Sequence, residues 1–175
     1  MAVNEAYVGG NAGDNDLQAV NDVNGTIINA GAGNDVLRGG RYDDILSGGA
    51  GDDSYYGGAG ADQFRFFGNQ IEGTSDLDKV LDLNFGQGDS LVFGNYGAGT
   101  FSDAAGINAY GAGNSAAQIT SWEGLANFIK SSSAVVGVSE KGNTDVLILS
   151  IDNGAGQIQT IHITGGYDAV QAFLI

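Results

Sequence analysis

The sequence predicts an all-β chain: a flattened parallel solenoid followed by a β-rich cap with one short helix. Three observations carry that expectation. From Ala30 to Arg65 the chain repeats every nine residues, four times without a break: AGAGNDVLR, GGRYDDILS, GGAGDDSYY and GGAGADQFR. The sixth position is Asp in every copy (Asp35, Asp44, Asp53, Asp62), and the eighth is large and apolar (Leu37, Leu46, Tyr55, Phe64). Beyond Phe66, short apolar and alternating runs are separated by Gly- and Asn-containing turns, the pattern of strands joined by tight connections.

Each nine has a loop half and a strand half. Glycine at positions one, two and four lets the backbone take positive φ and turn its carbonyls to one side. Positions seven to nine form a short strand whose eighth residue alone points inward. Two nines complete one turn of the solenoid. Asp35 therefore stacks over Asp53 on one edge, and Asp44 over Asp62 on the other. Carboxylates stacked at the roughly 4.8 Å spacing of neighbouring strands repel each other unless a cation lies between them.

Calcium suits that gap. It takes about 6–8 oxygen ligands in loose geometry, from carboxylates and backbone carbonyls alike, whereas magnesium demands a tighter octahedron and keeps its waters. Zinc and copper prefer His or Cys, and the repeats contain neither. The expected ligand set is Asp35, Asp44, Asp53 and Asp62, with the backbone at Gly33, Gly40, Tyr42, Gly49, Gly51, Gly58 and Gly60. Tyr42 occupies position four, where Gly is expected. A positive φ there is strained, so the site beside Tyr42 is the weakest of the set. Asp43 and Asp52, at position five, read as solvated acids. A flexible Gly/Asp-rich linker would not place a large apolar residue two positions after every Asp.

Composition narrows the function classes. Across 175 residues, 21 acidic and 6 basic side chains give a formal charge of −15. So acidic a surface argues against nucleic acid and anionic membrane as partners. Cysteine is absent, which excludes disulfides and thiolate sites. The stretch Met1–Tyr7 has neither a basic region nor an apolar run, so it does not read as a signal peptide. No apolar run is long enough to cross a membrane. No nucleophile–base pair or catalytic metal motif is present, so no enzymatic activity is expected. His162, the one histidine, reads as structural.

Residues 1–66 are expected to form the solenoid and residues 67–175 its cap. At the N-terminal end, Gly9–Leu17 has the composition of a repeat with one residue too many. Counting back nine from Ala30 puts Ile28 at position eight and Thr26 at position six, after an Asn24-Gly25 turn. Terminal repeats are commonly atypical, and Asp14, Asp16 and Asp22 read as surface acids. In the cap, Gln63–Phe66 is an aromatic strand, 67–74 a loop, and Leu81, Leu83 and Phe85 alternate as a half-buried strand. Gly86–Asp89 is a turn before a short strand at Leu91–Phe93. Residues 94–117 are rich in Gly, Ala and Asn and carry no motif. Ser121 can N-cap a helix with Glu123 in its first turn. Trp122, Leu125, Phe128 and Ile129 give that helix one apolar face, with Trp122 in the core. Val135, Val136 and Val138 suggest a strand. Val146–Ile151, nearly all apolar, reads as a strand buried on both faces. It turns at Asp152–Gly156 into a return strand with Ile158, Ile161 and Ile163.

Together these motifs resemble the RTX, or hemolysin-type, calcium-binding repeat. The segment Gly-Ala-Asp-x-Phe-x-Phe at residues 60–66, followed by Asp78, Val80, Asp82, Gly86, Asp89, Leu91 and Phe93, is similar to the segment C-terminal to those repeats in serralysin-type proteases, alginate epimerase modules and RTX adhesins or surface-layer proteins. The resemblance covers about residues 30–93. It implies a right-handed, calcium-filled parallel β-roll. It also implies a secreted or cell-surface protein exported by type I machinery through an uncleaved C-terminal signal. Tyr167–Ile175, an acid followed by apolar residues, fits such a signal and equally a final buried strand. Carried over by position, Asp78, Asp82 and Asp89 are candidate ligands of a further calcium at the cap, or plain surface acids. Three functions are consistent with these features: a calcium-triggered folding and export module; a module binding an alginate-like polysaccharide, favoured by any groove lined by Arg38, Arg41, Arg65 and tyrosines; or a structural element of a surface layer or adhesin.

Overall fold

The computed structural model describes residues 6–20, 24–71, 73, 75–94, 107–109 and 116–174. Among the described residues fourteen strands and two α-helices succeed one another. The strands are β1 (Ala6–Gly9), β2 (Asp16–Gln18), β3 (Thr26–Ala32), β4 (Val36–Arg38), β5 (Ile45–Ala50), β6 (Ser54–Tyr56), β7 (Gln63–Phe67), β8 (Ser75–Val80), β9 (Ser90–Gly94), β10 (Ile107–Ala109), β11 (Ala116–Ile119), β12 (Val135–Glu140), β13 (Val146–Asp152) and β14 (Ile158–Thr164). Helix α1 (Trp122–Ser131) lies between β11 and β12, and α2 (Tyr167–Leu174) comes after β14.

The strands form two seven-stranded mixed sheets. One runs β1-β3-β5-β7-β9-β11-β10 and the other β12-β13-β14-β8-β6-β4-β2. Successive strands of the repeat region fall alternately in one sheet and the other. Within each sheet those strands are parallel, and the nonapeptides pair in register: Leu46 with Phe64 in the first sheet and Leu37 with Tyr55 in the second. The parallel ladders continue past the repeats, with Phe64 opposite Leu91 and Tyr55 opposite Val80. The antiparallel part lies beyond: β9-β11-β10 in one sheet and β12-β13-β14 in the other, with β14 docked parallel to β8.

The eighth-position side chains fill the space between the sheets. Ile28, Leu37, Leu46, Tyr55, Phe64, Val80 and Leu91 are all fully buried. An aromatic chain extends this core into the cap. Tyr55 meets Phe66 edge-on at 5.3 Å, Phe66 stacks on Phe93 at 5.6 Å, and Phe93 stacks on Phe128 of α1 at 4.9 Å. Ser121 Oγ accepts the Gly124 N–H at 3.0 Å and caps α1 as expected, while Trp122 packs edge-on against Phe85 at 4.9 Å.

Several expectations need correction. The alternating stretch Leu81–Phe85 is not a strand: β8 ends at Val80, and residues 85–88 form a turn. Its polar residues, expected on an outer face, are drawn into loop bonding instead, Asp82 to the N–H groups of Gly57 and Gly58, and the Asn84 N–H to Asp89. Strand β13 buries one face only, through Leu147, Leu149 and Ile151; Val146 and Ile148 are half-exposed. The C-terminal run is a second helix and not a strand, because Tyr167, Val170 and Leu174 meet the core at helical spacing. Asp145 starts that helix, accepting the Asp168 N–H at 2.8 Å. Gly9–Leu17 carries no surplus residue: Val8 and Leu17 pair with Ile28 and Leu37, respectively, so the two extra residues of the first coil fall between Leu17 and Ile28. Asp22 and most of the segment 94–117 lie outside the described residues.

Phe93 joins the two halves of the core. Phe93→Ala should therefore lower stability by about 3–5 kcal/mol, read as a shift of the urea midpoint in calcium-containing buffer. A change under about 1 kcal/mol would mean that the aromatic chain does not couple the cap to the repeats.

Candidate metal centre

The parallel register places one residue of each coil at the same point on each edge. On the first edge the sixth-position residues are Asn15, Asp35, Asp53 and Asp78. The first three stand just before β2, β4 and β6, and Asp78 stands two residues before Val80 of β8. On the second edge they are Thr26, Asp44, Asp62 and Asp89. Each carboxylate turns its Oδ1 back to the coil before it. Asp35 accepts the Asn15 N–H at 2.7 Å, Asp53 that of Asp35 at 2.8 Å, and Asp78 that of Asp53 at 3.0 Å. On the other edge Asp44 accepts from Thr26 at 2.6 Å, Asp62 from Asp44 at 2.8 Å, and Asp89 from Asp62 at 3.0 Å.

A second ladder runs the opposite way, built from position five. Asp14 accepts the Asn34 N–H, Asn34 that of Asp52, and Asp52 that of Leu77, all at 2.8–2.9 Å. On the second edge Asp43 accepts from Ala61 at 2.8 Å. Asp43 and Asp52 are exposed, as expected of solvated acids, yet each also ties its coil to the next. An identical Asp in every copy marked the sixth-position ladder in the sequence, whereas position five varies (Asn34, Asp43, Asp52, Ala61) and did not signal the second.

The second oxygen of each sixth-position acid behaves differently. Oδ2 of Asp35, Asp53 and Asp62 is buried and has no hydrogen-bond partner. These residues are themselves at most 1 % exposed. Asp44 Oδ2 accepts the Gly40 N–H at 2.6 Å, Asp89 Oδ2 that of Asn84 at 2.7 Å, and Asp78 Oδ2 the Gln159 side-chain amide at 2.6 Å. Glycine is required beside two of the three unpaired oxygens; the Asp35 loop carries Ala30 at the corresponding position. A Cβ on Gly48 would run into the Asp53 carboxylate, and one on Gly57 into that of Asp62. Gly49, at φ 113°, has the Gly31 carbonyl where its Cβ would be. The loops of successive coils thus stack with backbone directly on backbone.

The three cap acids do not share one place. Asp78 stands with Asp53 on the first edge and Asp89 with Asp62 on the second. Asp82 lies close enough to Asp62 and Asp89 to repel both, and both its oxygens accept N–H groups, of Gly57 at 2.8 Å and of Gly58 at 3.0 Å. Neighbouring Asp76 is buried too, at 3 % exposure. Sequence reasoning passed over Gln159, whose partner Asp78 is 81 residues away; no local spacing could signal it. The three arginines do not build one groove. Arg38 sits on β4 beside Asp16 (3.3 Å) and over the Tyr56 ring, whereas Arg65 sits on β7 in the other sheet.

Burial of like charges raises every sixth-position acid. Asp53 and Asp62 are both pushed up to about 7, chiefly by desolvation; backbone N–H bonds oppose this, and neighbouring carboxylates add to it. Asp35, Asp44 and Asp89 are raised for the same reason, and Asp78 is raised well above the usual range, with the Asp53 charge beside it.

Residues 29–64 match the family model of the RTX calcium-binding nonapeptide repeat, in four copies. A comparison with curated proteins gives no match. The repeats bind Ca²⁺, and the site chemistry fits that ion. The donors are oxygen only, three buried carboxylate oxygens lack a partner, and the glycine cradles leave room beside two of them. Among the described residues no three acidic or imidazole side chains converge. The remaining ligands would therefore come from backbone carbonyls.

A carboxyl whose folded pKa is raised binds its proton more tightly folded than unfolded. Its contribution favours the fold at low pH and is lost as pH climbs from the ordinary carboxyl value of 3.8 towards about 7. In chelator, the urea midpoint should be higher at pH 5 than at pH 8. Added calcium should reverse that order and release protons at pH 6, measurable by titration in buffers of different ionisation heat. A chelated protein more stable at pH 8 than at pH 5 would contradict this reading of the acids.

Proposed function

We propose that this protein is a calcium-triggered folding module of a secreted protein. Residues 1–66 are read as a right-handed parallel β-roll and residues 67–175 as its cap, the two sharing both sheets. One observation carries the proposal: the buried, unpaired Oδ2 atoms of Asp35, Asp53 and Asp62. Leaving a charged oxygen buried without a partner is costly, so in a neutral, ion-poor medium these loops oppose folding. Calcium, when bound, supplies the positive charge those oxygens lack, and its binding free energy then becomes folding free energy.

The chain's own residues do the rest. Asp35, Asp53 and Asp62 present carboxylates, and the backbone at Gly33, Gly49, Gly51, Gly58 and Gly60 is the proposed source of carbonyls. The position-five ladder holds the coils at fixed separation. RTX repeats occur in secreted proteins, and the charge of −15 helps keep an ion-free chain extended by self-repulsion. Such a chain can pass a type I exporter unfolded and fold in extracellular calcium, where sites are commonly tuned to about 10⁻⁴–10⁻³ M.

A calcium titration followed by far-UV circular dichroism tests this, with magnesium as control. The expected result is a gain of β-signal with calcium at sub-millimolar to millimolar concentration and little with magnesium. The same β-signal in chelator and in calcium would overturn the folding trigger.

A further inference from the structure

The sixth-position loops come in two forms. In three of them the acid's second oxygen is unpaired: the loops ending at Asp35, Asp53 and Asp62. Here φ is positive at both position two (Gly31, 116°; Gly49, 113°; Gly58, 96°) and position four (Gly33, 111°; Gly51, 112°; Gly60, 124°). In three others a backbone N–H four or five residues earlier turns onto the sixth-position side chain: Gly40 onto Asp44, Asn84 onto Asp89, and Asn11 onto Asn15 at 2.8 Å. None of Asn11, Gly13, Gly40, Tyr42 or Asn84 is among the described residues with positive φ. The first form needs glycine at both positions. The second occurs where one of them is filled by Asn11 or Tyr42, or where the loop is rebuilt, as at 84–89.

We infer that the two forms are ion-taking and self-closed loops. The loops of Asp35, Asp53 and Asp62 each take one calcium ion, while those of Asn15, Asp44 and Asp89 take none because a backbone N–H already occupies the ion's place. Asn15 supports this from within the chain: a self-closed loop works with an amide, which carries no charge for an ion to neutralise. Tyr42 is then the determinant that closes the second repeat. It bars the positive φ at position four, Gly40 responds with its N–H turned inward, and Asp44 is satisfied by hydrogen bonds to Thr26 and Gly40 alone.

This rests on the calcium-binding reading above, and native mass spectrometry of the full chain in calcium separates the two. The parent protein should carry three ions. Tyr42→Gly, which restores glycine at both positions of the second repeat, should carry one more. Asp62→Asn should carry one fewer, and Asp44→Asn should keep three. Circular dichroism in calcium checks that each variant is folded; because Asp44→Asn removes a hydrogen bond, the Tyr42→Gly count decides the matter if Asp44→Asn does not fold. No ion on the parent protein would defeat the calcium reading itself. An unchanged count for Tyr42→Gly, or a loss for folded Asp44→Asn equal to that for Asp62→Asn, would overturn the division into two loop forms while leaving calcium binding intact.

Discussion

The structure depends on what happens to a row of carboxylates stacked at strand spacing. The nine-residue repeat, folded in register, places an acid at the same point of every second nonapeptide. One oxygen of each is useful at once, because it accepts the backbone N–H of the neighbouring coil's sixth residue and so carries the ladder around the bend where the strands end. The other oxygen is the difficulty. It is buried, its neighbours carry the same charge, and in half of the loops no donor reaches it. A proton or a cation must supply the missing interaction. The elevated proton affinity of Asp53 and Asp62 and the affinity of the repeats for calcium are two consequences of that one deficit.

The cap meets the same difficulty in other ways. Where the stack ends at Asp78, the strand β14 brings Gln159 across the sheet and gives the second oxygen an amide donor. Where it ends at Asp89, the loop folds back so that the Asn84 N–H serves. Asp82 closes the preceding loop from outside by holding two N–H groups of Gly57 and Gly58. The Gln159 amide and the Asn84 N–H each give a second carboxylate oxygen a fixed hydrogen bond, whereas Asp82 braces the Asp62 loop and leaves Asp62 Oδ2 unpaired. Around these acids the apolar packing is conventional: Phe66, Phe93 and Phe128 stack from the coils into α1, and the β13–β14 hairpin supplies Leu149, Ile151 and Ile161 to the same interior.

The repeat geometry was legible because nine residues carry every requirement locally: glycine for the loop, Asp two residues before the large apolar side chain, and a strand of three. That same Asp-x-apolar spacing recurs at Asp78-Lys79-Val80 and Asp89-Ser90-Leu91, which are the coils the nine-residue count missed. They were hidden because loops of different length raise the offset between paired residues from 18 to 25 and 27. Tyr42 was recognisable as an irregularity, but its consequence for the Gly40 N–H depends on backbone dihedrals that no side-chain pattern states. The strand expected at Leu81–Phe85 failed for a related reason: alternation in burial survived, while the ladder partners were lost to loop bonding by Asp82 and Asn84. The C-terminal helix escaped the sequence pattern because apolar residues at a chain end fit either period until their spacing to the core is known.

The central claim is that the repeat loops are completed by an ion and not by the polypeptide alone. Amide hydrogen exchange, resolved by residue in calcium and in chelator at pH 7.5, tests it most directly. The N–H groups of Asp35, Asp44, Asp53 and Asp62, which bond to the next acid in each stack, should be protected in calcium and exchange at near-unfolded rates in chelator. Protection of those four amides that is equal in both conditions would contradict the account.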